Sequence, residues 1–86
     1  MAGGTIRYWA AAKAATGVAE ERYDVRTLAE LLSTVCDRHG AGLGALLDRC
    51  SFLVNGAPVG ARPPAAVVLP EGATVEVLPP FAGGSL

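Results

Sequence analysis

The stretch TLAELLSTVCDRHG, residues 27–40, decides how the rest of the chain is read. Thr27 and Glu30 stand at the spacing of a capping box, in which each side chain satisfies a backbone N–H at a helix start. Leu28, Leu31, Leu32, Val35 and Cys36 then recur at i, i+3, i+4, i+7 and i+8, one continuous apolar stripe along a helix. Gly40 supplies the stop, because glycine accepts the left-handed conformation that follows a helix end. The spacing therefore predicts one main amphipathic helix whose stripe must be buried against something else.

The flanking segments read as strands. Upstream, residues 5–10 alternate, with Ile6, Tyr8 and Ala10 on one side and Thr5, Arg7 and Trp9 on the other. Thr16-Gly17 breaks that pattern, and residues 20–25 form a second strand with Tyr23 and Val25 on its apolar side and Glu21 as an exception. The short break predicts a hairpin, since antiparallel neighbours need few connecting residues. Downstream, residues 43–47 give a short second helix, weakened by Gly42 and Gly44. Residues 51–54 read as a third strand, and Asn55-Gly56 is a two-residue hairpin signal leading into an ill-defined strand near Pro58. Pro63-Pro64 interrupts it, because proline cannot donate to a ladder. An apolar run at 66–69 is a buried strand or an ordered loop, and Pro70-Glu71-Gly72 is a turn. Residues 73–78 form the last strand, with Val75 and Val77 inward and Thr74, Glu76 and Leu78 outward. The order is two strands, a helix, then two or three strands. A helix packed on one face of a mixed sheet of four to five strands buries both apolar faces, so the class is α+β and the order matches a β-grasp.

Composition narrows the function. The chain has 86 residues, 51% of them hydrophobic and 17% charged, with a mean hydropathy of +0.38. That allows one domain, residues 1–80, followed by a flexible tail at 81–86. It is too apolar for intrinsic disorder. A formal net charge of -1 gives no reason to expect nucleic acid. No stretch approaches the roughly 20 apolar residues that span a bilayer. Lys13 breaks the only N-terminal run that resembles a secretory leader, so the expected location is the cytoplasm. Two cysteines and one histidine are too few for a four-ligand zinc site, so no metal and no bound cofactor are expected. Cys36 and Cys50 are read as reduced, partly buried thiols.

The tail carries the chemistry. Pro79-Pro80 stiffens the exit from the last strand, because each ring fixes φ. Gly83 and Gly84 have no Cβ, so the segment can enter a narrow channel and let another backbone come close. A terminal glycine carboxylate is also sterically open to adenylation. On Gly-Gly alone an idle tail remains the plainer reading.

The wider context changes that weighing. Tyr8-Trp9-Ala10 with Gly17, Leu53-Val54-Asn55-Gly56, and Leu78-Pro79-Pro80-Phe81-Ala82-Gly83-Gly84 together resemble the MoaD/ThiS family of sulfur carriers. The likeness runs in order over nearly the whole chain and is closer to the molybdopterin synthase small subunit than to the thiamin sulfur carrier. It implies a ubiquitin-like β-grasp whose working group is the carboxylate of Gly84. An activating enzyme would adenylate that carboxylate with ATP, and a cysteine desulfurase or rhodanese-like donor would convert it to a thiocarboxylate. The sulfur would pass to a partner synthase, such as the molybdopterin synthase large subunit. The chain itself would be a protein co-substrate, not an enzyme. Trp9, Pro58 and Leu78 fall at positions that form the apolar partner contact in molybdopterin-synthase-like members, with Phe81 next to them in the tail. One departure matters: Ser85 and Leu86 follow Gly84, so the resemblance implies their removal, for which a JAMM-type metallopeptidase is the expected agent. Sulfur delivery for cysteine, methionine or secondary metabolites stays open, as do a plain interaction module with an inert tail and a lysine-linked tag. His39 is read as capping the main helix through its last carbonyls. Arg7, Arg22 and Arg26 are read as solvated surface or as steering groups for an acidic partner.

Overall fold

A computed structural model describes residues 3–80 of the chain, and Phe81, Gly83, Gly84, Ser85 and Leu86 lie outside the described residues. The strands are β1 (Gly4–Tyr8), β2 (Glu20–Tyr23), β3 (Ser51–Val54), β4 (Ala57–Pro58) and β5 (Thr74–Leu78). They form one sheet in the order β2-β1-β5-β3-β4. β1 and β5 run parallel, and the other neighbours are antiparallel. Three α-helices, α1 (Ala10–Thr16), α2 (Leu28–His39) and α3 (Ala41–Leu47), join the strands, with a 3₁₀ turn at Pro64–Ala66. This is the α+β arrangement expected, with all five strands present.

The capping box forms as the spacing predicts. Thr27 Oγ1 accepts from the Glu30 N–H at 3.2 Å, and Glu30 Oε1 accepts from the Thr27 N–H at 3.1 Å. Glu30 also accepts from the Arg26 N–H, and these backbone bonds hold its carboxyl below the usual range. The stripe of α2 is graded: Leu28, Leu31 and Val35 are fully buried, while Leu32 and Cys36 sit at the margin of the core. They meet Ile6, Tyr8, Val75 and Val77 of the two central strands, with Ala12 from α1 and Leu43 and Leu47 from α3 completing the cluster. No polar or charged side chain is buried among the described residues. Deleting a side chain such as Leu31 from this core costs about 2–5 kcal/mol.

Four expectations are corrected. The break between the first strands is not a tight hairpin, because helix α1 fills residues that include Ala10. A run of alanines has high helix propensity, and a seven-residue helix still lets β1 and β2 pair antiparallel. Gly40 has φ 98° and ψ 172°, a positive φ but not the left-handed helical well, because it both ends α2 and precedes α3. His39 does not cap the helix carbonyls; its Nε2 lies 2.6 Å from Glu21 Oε2. Glu21 is no stray polar residue on an apolar face, since Tyr8 and Arg38 also donate to it, at 2.5 and 2.8 Å.

The Asn55-Gly56 hairpin holds as read. Asn55 and Gly56 have φ of 51° and 83°, both positive, as a two-residue turn matched to strand twist requires. Asn55 Oδ1 accepts from the Thr74 N–H at 2.9 Å and so ties this turn to the start of β5.

Candidate functional site

Because the core lies on one face of the sheet, the register defines what the other face displays. Glu20, Arg7, Glu76, Leu53 and Pro58 stand in one row across all five strands. Trp9 lies just beyond Arg7 on the same side, and Leu78 and Ser51 pair next to it. A groove of about 530 Å³ opens here, lined by Trp9, Ala10, Arg49, Ser51, Leu78, Pro79 and Pro80. It sits where the chain leaves β5 towards residue 81.

Local backbone geometry aims Trp9 at this groove. Its N–H still donates to the Val77 carbonyl at 3.2 Å, continuing the β1–β5 ladder one residue past the strand. Its carbonyl then accepts from Ala12, opening α1. The reversal is made at Ala10, whose φ of 48° is in the left-handed region that a non-glycine residue occupies at a cost of about 1–3 kcal/mol. That strain sits on the groove wall itself.

The side chain of Trp9 is 42% exposed, one of the few large apolar groups left outside the core. Its indole N–H donates to Glu76 Oε1 at 3.1 Å. The Arg7 guanidinium lies 5.1 Å from the ring centroid, within cation–π range. Arg7 in turn meets Glu20 at 3.4 Å, with both side chains about half exposed. Leu78 is half-buried and Pro79 buried, so the groove floor is apolar and its upper wall aromatic.

The structure brings Trp9 and Leu78 together, as strand parity required. It does not bring Pro58 to them: that residue is exposed on edge strand β4, in the row below the groove and outside its lining. Arg49, Ser51, Ala10 and Pro80 line the groove and escaped the sequence reading. Ser51 was legible as the residue opposite Leu78; Arg49 comes from the α3–β3 connection and carried no periodic signal. Phe81 and the Gly83-Gly84 pair, also expected in the site, lie outside the described residues.

Other candidates hold no comparable geometry. Among the described residues no group of three His, Cys, Asp or Glu side chains is placed to hold a metal ion. Cys36 and Cys50 are free and half-buried, and burial pushes both thiols up, which keeps them protonated and unreactive. No helix among the described residues is long and apolar enough to cross a membrane.

Comparison with known proteins agrees with this geometry. The small archaeal modifier protein 1 of Methanosarcina acetivorans superposes with a TM-score of 0.83 at 18% identity, covering 98% of both chains. A putative molybdopterin converting factor subunit 1 of Pyrococcus furiosus gives 0.78 at 22% identity, over 94% of this chain and 100% of that one. The small archaeal modifier protein 1 of Haloferax volcanii gives 0.78 at 20%, over 95% and 99%. At these identities the likeness establishes the β-grasp fold alone. No curated protein matches the chain. The profile of the ThiS family, however, matches residues 6–84, from β1 through the second tail glycine. The chain therefore belongs to the ThiS family of small, ubiquitin-fold sulfur carriers.

Proposed function

We propose that the chain carries sulfur as a thiocarboxylate on Gly84 and delivers it, as the small subunit of a molybdopterin synthase, to a large-subunit partner. The observation that carries this reading is the apolar groove at the root of the tail. A partner held on Trp9, Leu78 and Pro79 has the next residues of the chain pointed into its own active site.

The chemistry asks little of the carrier. Removal of Ser85 and Leu86 by a metallopeptidase frees the Gly84 carboxylate. That carboxylate attacks the α-phosphorus of ATP on an activating enzyme, releasing pyrophosphate and leaving an acyl adenylate. A persulfide sulfur from a desulfurase or rhodanese-like donor attacks the acyl carbon and expels AMP. A second thiol then reduces the resulting acyl disulfide, leaving the thiocarboxylate. Both glycines lack a Cβ that would obstruct these approaches. A cycle that draws on ATP fits a cytoplasmic location.

Intact mass of the protein isolated from its native host tests the reading. The expected species lacks the mass of Ser85 and Leu86 and carries one oxygen replaced by sulfur. Persistence of both residues during active sulfur transfer would overturn it, and a covalent adduct on a lysine would mark a modifier role. Deleting Gly84 should abolish sulfur transfer while leaving the fold and partner binding intact.

A further inference from the structure

An exposed tryptophan that waits for a partner ordinarily samples several rotamers, and fixing it on binding lowers affinity. Trp9 is exposed, yet it is held at two points. Glu76 accepts the indole N–H at 3.1 Å, and the Arg7 guanidinium covers one side of the ring at 5.1 Å. The sheet register fixes both holders: Arg7 is two residues before Trp9 on the same face, and Glu76 is paired with Arg7 on β5. Glu20, at the end of the same row, steadies Arg7 from its other side. The indole also lines the groove together with Leu78 and Pro79.

We infer that Arg7 and Glu76 are positioning residues that lock the Trp9 indole in its docking orientation before the partner arrives. The inference rests on the proposed reading of the Trp9 face as a docking surface. Exposed charge contacts of this kind contribute little to folding, so their use lies in ordering the ring. Ordering one large side chain in advance is worth about a two- to tenfold gain in affinity. The guanidinium matters as a flat group able to stack, and the carboxylate as an acceptor.

Trp9 is the only tryptophan, so its fluorescence anisotropy decay reports ring motion with no added label. Arg7→Met and Glu76→Met should each speed the local motion of the indole. Each should also weaken binding to the molybdopterin synthase large subunit of the same organism by about two- to tenfold, with the thermal midpoint unchanged. Glu76→Gln keeps an acceptor and should behave as wild type. Unchanged ring motion in both methionine variants, or faster motion with wild-type affinity, overturns the inference. So does a fall in thermal midpoint that tracks the loss of affinity, which would mark a structural role. Trp9→Ala separates the two levels. If it binds as wild type, the docking reading itself fails; if it loses binding while the methionine variants do not, only the positioning role fails.

Discussion

Replacing Glu21 tests the polar knot that closes the helix side of the fold. Glu21 pairs with Ile6 in the β1–β2 ladder, so its carboxylate faces the buried side of the sheet. There Oε2 receives the Tyr8 hydroxyl at 2.5 Å and lies 2.6 Å from His39 Nε2, while Oε1 receives Arg38 at 2.8 Å. Burial pushes the carboxyl pKa up, but the bonds from Tyr8, His39 and Arg38 outweigh it and hold the group below its usual range. Burial, and secondarily the bond to Glu21, push the Tyr8 hydroxyl up, so it stays a donor. Glu21→Met would strand two part-buried donors, at about 1–3 kcal/mol for a fully buried one. Arg38, half exposed, turns to water at little cost. Taking the lower half of the range for each donor gives a loss of about 2–4 kcal/mol, or a midpoint lowered by roughly 10–30 °C. Glu21→Gln retains an acceptor for Tyr8 and His39 and should lose only about 1 kcal/mol. Urea unfolding at neutral pH measures both. A carboxyl held low when folded contributes stability that is present above its unfolded pKa, near 4.5, and lost as pH falls through the lower folded value. The gap between wild type and Glu21→Gln should therefore start to narrow as pH falls below about 4.5 and close once pH passes the lower folded value. A gap that persists into strong acid, or a Glu21→Met variant within about 0.5 kcal/mol of wild type, would refute the assignment.

Two further substitutions probe how the frame is held. Thr27→Ala removes one half of the capping box and should cost about 1 kcal/mol in urea unfolding, with Thr27→Ser close to wild type. Gly4→Ala should be far more damaging. A Cβ there would overlap the Ala73 carbonyl oxygen and lie 2.7 Å from the Tyr23 hydroxyl, which itself donates to that carbonyl at 2.9 Å. The Ala73 backbone and the Tyr23 ring must both move, so a loss of about 3 kcal/mol or more is expected, read as a collapsed thermal midpoint by circular dichroism.

Much of this architecture is legible in the chain because local signals and burial agree. Thr27, Glu30 and the stripe from Leu28 to Val35 predict α2 since capping and amphipathicity point the same way. Asn55-Gly56 predicts its turn because few residues besides asparagine and glycine tolerate positive φ there. What fails does so where tertiary structure overrides pattern. Ala10 satisfies the alternation of β1 as well as any small residue, yet it leaves the strand with φ 48°. Glu21 breaks the apolar face of β2, and no local rule identifies Tyr8, Arg38 and His39 as its partners. These three come from 13 to 18 residues away. In the site, strand parity alone joins Trp9 to Leu78. Pro58 has the same parity but lies on β4, two strands from Leu78 and one beyond Ser51, and distance across a sheet is not written in parity.

The position of β5 explains why groove and tail coincide. It is the last strand in sequence but the middle strand of the sheet, between β1 and β3. A chain leaving the end of a central strand is flanked on both sides, here by Trp9 beyond β1 and by Ser51 at the start of β3. Any partner that reads residues 81–84 must therefore also read those flanks, without a separate recognition element. The same placement couples presentation to folding. Val75 and Val77 are fully buried between β1 and β3, so β5 docks only when the rest of the sheet exists. An unfolded chain still carries its two tail glycines, but it has no groove at the end of β5. On the proposed reading, discrimination between folded and unfolded carrier then follows from topology.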